Sequence, residues 1–294
     1  MRNGLGTMSG MCFAFASLFF GAAPPARGYE VYMGLCFAER LADPARQAEW
    51  ETVARSIDGV WLNLVGWPKP QESSTTPALR LVRNNRNGVV PVSVKQYKPQ
   101  VVFSDPAVQT AAALEKAGVF DWQIVALNGD AASNALKEPF RAEAVHAARA
   151  RYSGKRIFVN VRIGEFRSSP PPRVLELIDA ADGATFESEP RRFLQMKDAF
   201  TAYANVYRIV KVEKKKPLIW LCPNGAMGEK EAYLDELKRV FEKIKSMKAL
   251  PDIIVVIGYG RTNGPLDELP EGKGADYPST LTGATRWILH QRGQ

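Results

Sequence analysis

Residues 57–67 read IDGVWLNLVGW, and residues 181–190 echo them as ADGATFESEP. In each stretch an amphipathic run ends, an Asp-Gly pair turns the chain, and a short run rich in β-branched and aromatic residues closes on a polar tip. Alternation along such a run sends every second side chain to the same face, the pattern of a strand. The next proline-containing segment then opens another helical pattern. One strand bracketed by helices in this order is a βα unit, so the question is how often the unit recurs.

It recurs eight times. The strand runs are Tyr29–Phe37, Gly59–Trp67, Val89–Tyr97, Trp122–Asn128, Arg156–Gly164, Ala184–Glu189, Pro217–Pro223 and Asp252–Tyr259. Between them stand segments with apolar residues three and four apart, such as DPAVQTAAALEKAG (105–118) and EKEAYLDELKRVFEKIKSM (229–247), as helices packed on a sheet require. The stretch RRFLQMKDAFTAYANVYRIV (191–210) reads as one such helix. Gly59, Gly88, Gly118, Gly154 and Gly183 fall where helices stop and are expected as left-handed caps, while Asp43-Pro44 and Asp105-Pro106 mark helix starts. Eight successive units predict an α/β fold, a single-domain (β/α)8 (TIM) barrel spanning 29–294. An open doubly wound sheet would instead call for a glycine-rich phosphate loop after the first strand, where GLCFAERLADP offers only Gly34. Long connections follow strands (PKPQESSTTP, KPQVVFSDP and RTNGPLDELPEGKGADYP), and the helix-to-strand turns are expected to be two or three residues, so the working end lies at the strands' C-termini.

The first 28 residues stand apart: no acids, an early Arg2, the apolar run MCFAFASLFFGAA (11–23), and small Ala26 and Gly28 at the −3 and −1 positions of a cleavage site. They are expected to be a secretory signal, removed to leave a secreted or periplasmic chain without a stable membrane anchor. Losing Arg2 and Arg27 takes the 39 basic residues to 37 against 31 acidic ones, a mild excess that argues against nucleic-acid binding. Cys36 and Cys222 would end strands separated by a third, about 9 to 10 Å apart, too far for a disulfide, and are expected to fill the barrel. Metal-ligand spacing is absent, and no cofactor or metal is expected.

Polar side chains need partners that a helix-packed face does not offer, so they should mark the barrel's interior. On that criterion Trp61, Asn63 and Trp67, then Ser93, Lys95 and Tyr97, then Asn160 with Arg162, then Thr185, Glu187 and Glu189, and finally Trp220, Cys222 and Asn224 face inward. Phe186 is left to the helices. Glu187 then points into the mouth, ringed by Asn63, Lys95, Asn128, Asp130, Arg162, Glu165, Asn224, Tyr259 and Arg261, with Trp67, Tyr97 and Trp220 as flat surfaces. Amides, mixed charges and aromatic faces suit a carbohydrate ligand.

The only histidines, His146 and His290, lie in outer helices, which excludes histidine-rich metallohydrolases, histidine-paired phosphodiesterases and serine nucleophiles that need a histidine base. Carboxylates remain, and glycoside hydrolysis needs two. Glu187 is the first candidate, with Asp130 ranked ahead of Glu165 as its partner because Glu165 falls on the outer phase unless Gly164 bulges the strand. Adjacent strands would bring Glu165 to the short separation of a retaining enzyme, whereas Asp130 would sit wider. Arg162 and Glu187 could instead form a buried pair that fills the barrel, with Glu189 at the start of the helix after Pro190.

In its recurrent helix-end, Asp-Gly, strand and polar-tip pattern the chain resembles the secreted glycoside hydrolase barrels over 29–294. The Asn-Glu pair after strand four and the glutamate after strand seven of their best-known subgroup are replaced by Asn128-Gly129-Asp130 and Pro223-Asn224, and a chitinase-like acidic run on strand four is missing. The resemblance implies cleavage of an oligo- or polysaccharide. A non-catalytic carbohydrate-binding barrel uses the same aromatics and amides, and a Schiff-base lyase would use Lys95.

Overall fold

Each apolar run becomes a strand because β-branched side chains pack well on a pleated surface and each strand finds a partner on both edges. In the structure, a computed structural model that describes residues 28–36, 52–63, 87–97, 100–104, 106–129, 141–224, 230–258 and 277–292, nine strands form. They are β1 Glu30–Cys36, β2 Gly59–Asn63, β3 Asn87–Tyr97, β4 Gln100–Ser104, β5 Asp121–Gly129, β6 Arg156–Val161, β7 Gly183–Glu187, β8 Leu218–Asn224 and β9 Ile253–Gly258. Eight are parallel, and pairing of β2 with β3 closes the series β2-β1-β9-β8-β7-β6-β5-β3 into a ring. Helices including Pro106–Lys116, Ala142–Arg151, Pro172–Ala180, Lys230–Ser246 and Tyr277–Gln291 surround it. The (β/α)8 barrel expected from the sequence is therefore the fold.

Alternation divides the core in two. Tyr32, Trp61, Val89, Ile124, Ala126, Phe158, Ile219, Leu221, Ile253, Val255 and Ile257 fill the barrel. A larger cluster, with Phe186, Trp220 and Tyr203 among its members, joins the sheet to the helices.

At the barrel's base the aspartates that precede strands, two of them in Asp-Gly pairs, share one geometry. Asp58, just before β2, donates its backbone N–H to the Val31 carbonyl at 2.8 Å and accepts the Val31 N–H on Oδ2 at 2.8 Å. Asp182 does the same to Ile157 at 2.7 Å in both directions, and Asp252 to Leu218 at 2.9 and 2.7 Å. A cation from an outer segment meets each carboxylate: Arg292 on Asp58, Arg149 on Asp182 at 2.8 Å and Lys211 on Asp252 at 2.5 Å.

Several expectations change. Gly118 and Gly154 are left-handed, with φ of 68° and 80°, but Gly59, Gly88 and Gly183 have no positive φ. They are glycine because their strands pass under aromatic rings: a Cβ would sit 2.3 Å from Tyr32 at position 59, 1.9 Å from Phe120 at 88 and 2.4 Å from Phe158 at 183. KPQVVFSDP is not a plain loop, since β4 folds back antiparallel on β3 and Phe103 packs edge-on to Tyr152 at 5.8 Å. The helix expected over 191–210 breaks into Pro190–Gln195 and Ala199–Tyr207 at left-handed Asp198, then loosens into a π-helix over Arg208–Glu213. Helix-to-strand turns run from two residues (181–182) to six (247–252), not two or three. Cys222 lies in the helix-facing layer instead of filling the barrel, and Cys36 ends β1, which β9 separates from β8. The leader 1–27 and Asp43-Pro44 lie outside the described residues.

Gly183→Ala should destabilise the protein by about 1–3 kcal/mol through the clash with Phe158, whereas Gly283→Ala, in a helix with nothing within 4 Å of the new methyl, should stabilise it by about 0.5–1 kcal/mol. Urea midpoints of the two variants check the pair; equal effects would show that the interior ring contact does not constrain position 183.

Candidate functional site

Strand β7 ends on Glu187, and the alternation that buries Thr185 inside the barrel also turns Glu187 toward its open end. On the neighbouring strand Asn160 is the register partner of Thr185. Asn160 Nδ2 donates to Asn128 Oδ1 at 2.9 Å, so the tips of β5 and β6 are tied by an amide pair. Beyond Val161 the chain leaves the sheet: Arg162 is exposed, and Ile163–Phe166 turn as a 3-10 helix anchored where Asn205 Nδ2 donates to the Phe166 carbonyl at 2.9 Å. After β7, Ser188 is buried with its N–H on the Leu221 carbonyl at 3.0 Å, and the helix Pro190–Gln195 begins.

These segments enclose a cavity of about 550 Å³. Asn128, Asn160, Glu187 and Pro223 contribute from strands, Arg162 and Gly164 from the turn after β6, and Ser188, Glu189, Arg192, Phe193 and Met196 from the segment after β7. Glu187 still meets solvent there, but the surrounding wall strips enough water to raise its carboxyl's pKa above the ordinary 4.5; the positive charge of Arg192 opposes the rise without cancelling it. Beneath the cavity, Asn160 Oδ1 and Thr185 Oγ1 are buried without hydrogen-bond partners, as is Trp61 Nε1 inside the barrel.

The carboxylates expected to gather divide into different roles. Glu187 lines the cavity with no acid-base partner among the described residues. Glu189 also lines it, but its side chain is only 10% exposed and pairs with Arg192 Nε at 3.0 Å, without capping the helix it precedes. Glu165 does not reach it: with no bulge at Gly164, the 3-10 turn carries Glu165 to Arg173, whose Nη2 donates at 2.9 Å. The alternative pairing of Arg162 with Glu187 does not form, since both line the cavity without an ion pair between them.

Strand β8 has the opposite phase from that expected. Ile219 and Leu221 fill the barrel, while Trp220 and Cys222 face the helices, so Trp220 is no sugar-stacking surface; its ring stacks on its register partner Phe186, with centroids 6.2 Å apart and planes 2° from parallel. The polarity criterion had nothing to act on in LIWLC, where both phases are apolar. Asn63, Lys95, Tyr97 and Asn224 lie on β2, β3, β3 and β8, with their side chains outside the described set. Trp67, Asp130, Tyr259 and Arg261 lie outside the described residues. Sequence reasoning missed Ser188, Arg192, Phe193 and Met196; the only signal was that the segment after Pro190 follows the strand bearing Glu187. Among the described residues no group of histidine, cysteine, aspartate and glutamate could hold a metal ion.

No family model and no curated protein matches the chain by sequence. Among solved structures it is similar in outline to a GH18 chitinase from Pseudoalteromonas aurantia, at 11% identity and a TM-score of 0.48, covering 88% of this chain and 99% of that one. A hyperthermostable endo-1,4-beta-D-mannanase from Thermotoga petrophila matches at 10% identity and 0.46, covering 90% and 99%. The xylanase and alpha-amylase inhibitor protein of Scadoxus multiflorus matches at 10% and 0.45, covering 89% and 98%. All three scores lie below 0.5, and the barrel assignment rests on the closed strand pairing itself.

The raised pKa of Glu187 fixes the sign of a pH effect. The folded chain binds this proton more tightly than the unfolded one, so as pH rises from about 4.5 through the folded-state pKa, ionisation of Glu187 costs stability. Glu187→Gln should remove that loss: urea midpoints of wild type and variant should converge at low pH and separate in the variant's favour toward neutrality.

Proposed function

We infer that this barrel is a secreted glycoside hydrolase-like protein that holds an oligo- or polysaccharide at its mouth, with Glu187 as the proton donor. The observation that carries the reading is a carboxyl group with a raised pKa on the wall of a 550 Å³ cavity floored by two asparagine amides. An acid whose burial favours its protonated form can deliver the proton to the glycosidic oxygen as the C–O bond breaks, and Arg192 would then stabilise the carboxylate left behind. Amide donors and acceptors supply the contacts that sugar hydroxyls need.

A second carboxylate is required to activate water or attack the anomeric carbon. With Glu165 bound to Arg173 and Glu189 bound to Arg192, the partner of choice is Asp130, the residue after β5. Strand β6 stands between β5 and β7, a spacing of about 9.6 Å, which favours the wider separation at which a water fits and the anomeric configuration inverts. One observation favours the alternative of a non-catalytic carbohydrate-binding barrel: of the three described carboxylates nominated as catalytic or binding groups, two are already engaged by arginines.

Glu187→Gln and Asp130→Asn should each lower reducing-sugar release from a responsive polysaccharide by about 10²–10⁴-fold, while Glu165→Gln should leave it near wild type. Retained hydrolysis in Glu187→Gln would refute the proton-donor role, and a wild-type protein that binds glycans but never cleaves them would favour the binding barrel. The proposed export predicts a mature N-terminus at Tyr29, read by mass spectrometry of the protein recovered outside the cytoplasm; retention of residues 1–28 would refute the cleavage.

A further inference from the structure

Among the described residues the charges around the cavity do not balance. Of the four charged residues that line it, Glu189 and Arg192 neutralise each other, and Glu187 resists ionisation. Arg162 is the fourth. It is exposed on the wall where β6 ends, and its guanidinium has no acid partner among the described residues. The acid closest in sequence, Glu165, is drawn away to Arg173. Arg162 is nevertheless not on a loose tether: Val161 before it pairs with Phe186, and its own carbonyl accepts the Glu165 N–H at 2.9 Å, which closes the 3-10 turn. Arg192 adds a second guanidinium, 81% exposed, with only Nε committed to Glu189.

A guanidinium carried on an anchored backbone in a concave wall, with no acid partner among the described residues, attracts an anion and can grip a carboxylate or sulfate through two parallel N–H donors. The asparagine floor suits hydroxyl groups. We propose that the ligand of this cavity is an anionic saccharide, carrying uronate carboxylates or sulfate esters, and that Arg162 reads its charge. The proposal rests on the carbohydrate reading given above and narrows it from sugars in general to acidic ones. It also gives Arg162 and Glu187 separate tasks, binding an acidic substituent and handling the proton, which explains why these cavity neighbours are not paired.

The test is direct binding to an array of uronate, sulfated and neutral oligosaccharides of varied linkage, with carboxyl-reduced forms of the uronates as matched controls. Acidic members should bind about tenfold or more tightly than their neutral counterparts, with the preference shrinking as salt rises. Arg162→Gln should abolish most of that preference and its salt dependence, Arg162→Lys should restore part of it, and the thermal midpoint should stay unchanged because no described residue pairs with Arg162. The uronate and sulfate arms separate the two sources of charge. Equal binding of neutral and acidic sugars, or an unaltered preference in Arg162→Gln, would overturn this inference and leave the carbohydrate reading standing. Failure of every saccharide to bind would overturn both.

Discussion

The barrel depends on a reciprocal hydrogen-bond pair made three times at its base. Asp58, Asp182 and Asp252 each extend the sheet ladder by one rung, with the carboxylate accepting from the same neighbouring residue that receives the aspartate's own N–H. A hydrogen bond to a charged group contributes about 1.5–3 kcal/mol, more than the partly exposed pairs Arg149–Asp182 and Lys211–Asp252 add. The larger consequence is register. A one-residue slip would exchange the interior and helix-facing sides of a strand, and these clips fix β1 to β2, β6 to β7 and β8 to β9 before the chain reaches the mouth. The position of Glu187 follows from Asp182, five residues earlier on the same strand segment.

The Asp-Gly pairs were legible in the sequence because they recur, but their physical reason was not. Glycine after a helix reads as a left-handed cap, and Gly118 and Gly154 are such caps. Gly59 and Gly183 look alike on paper, yet they are required by rings from a strand next door, Tyr32 and Phe158. No local pattern contains that contact. The eight strands were visible for the opposite reason, since each is a self-contained apolar run.

Side-chain phase was readable only where the two faces differ chemically. In GATFE, Thr185 and Glu187 oppose Ala184 and Phe186, and the inward face follows. In LIWLC every residue can be buried on either side, and the decision belongs to the register of β7 and β8, which places Trp220 beside Phe186. Glu165 illustrates a third limit. Its distance from the mouth is set by the point at which β6 ends, and that in turn by the 3-10 turn docked on Asn205 and by Arg173 in the following helix.

The interior also changes character toward one part of the mouth. Ile124, Ala126 and Phe158 on β5 and β6 fill the barrel as Ile219, Leu221, Ile253, Val255 and Ile257 do on β8 and β9, but nearer their C-terminal ends β5 to β7 carry Asn128, Asn160 and Thr185, with Asn160 Oδ1 and Thr185 Oγ1 buried unpaired. Each unmet group costs about 1–3 kcal/mol, and aliphatic side chains of the kind found across the barrel would avoid that cost. The expense falls beneath Glu187, whose ionisation burial opposes, and beside Arg162, which has no acid partner among the described residues. Stability alone gives no reason for unmet polar groups, a carboxyl held toward its protonated form and an arginine without an acid partner among the described residues to share one sector. The proposed binding role supplies one, because each of the three would become favourable when a polar, charged ligand replaces the missing partners.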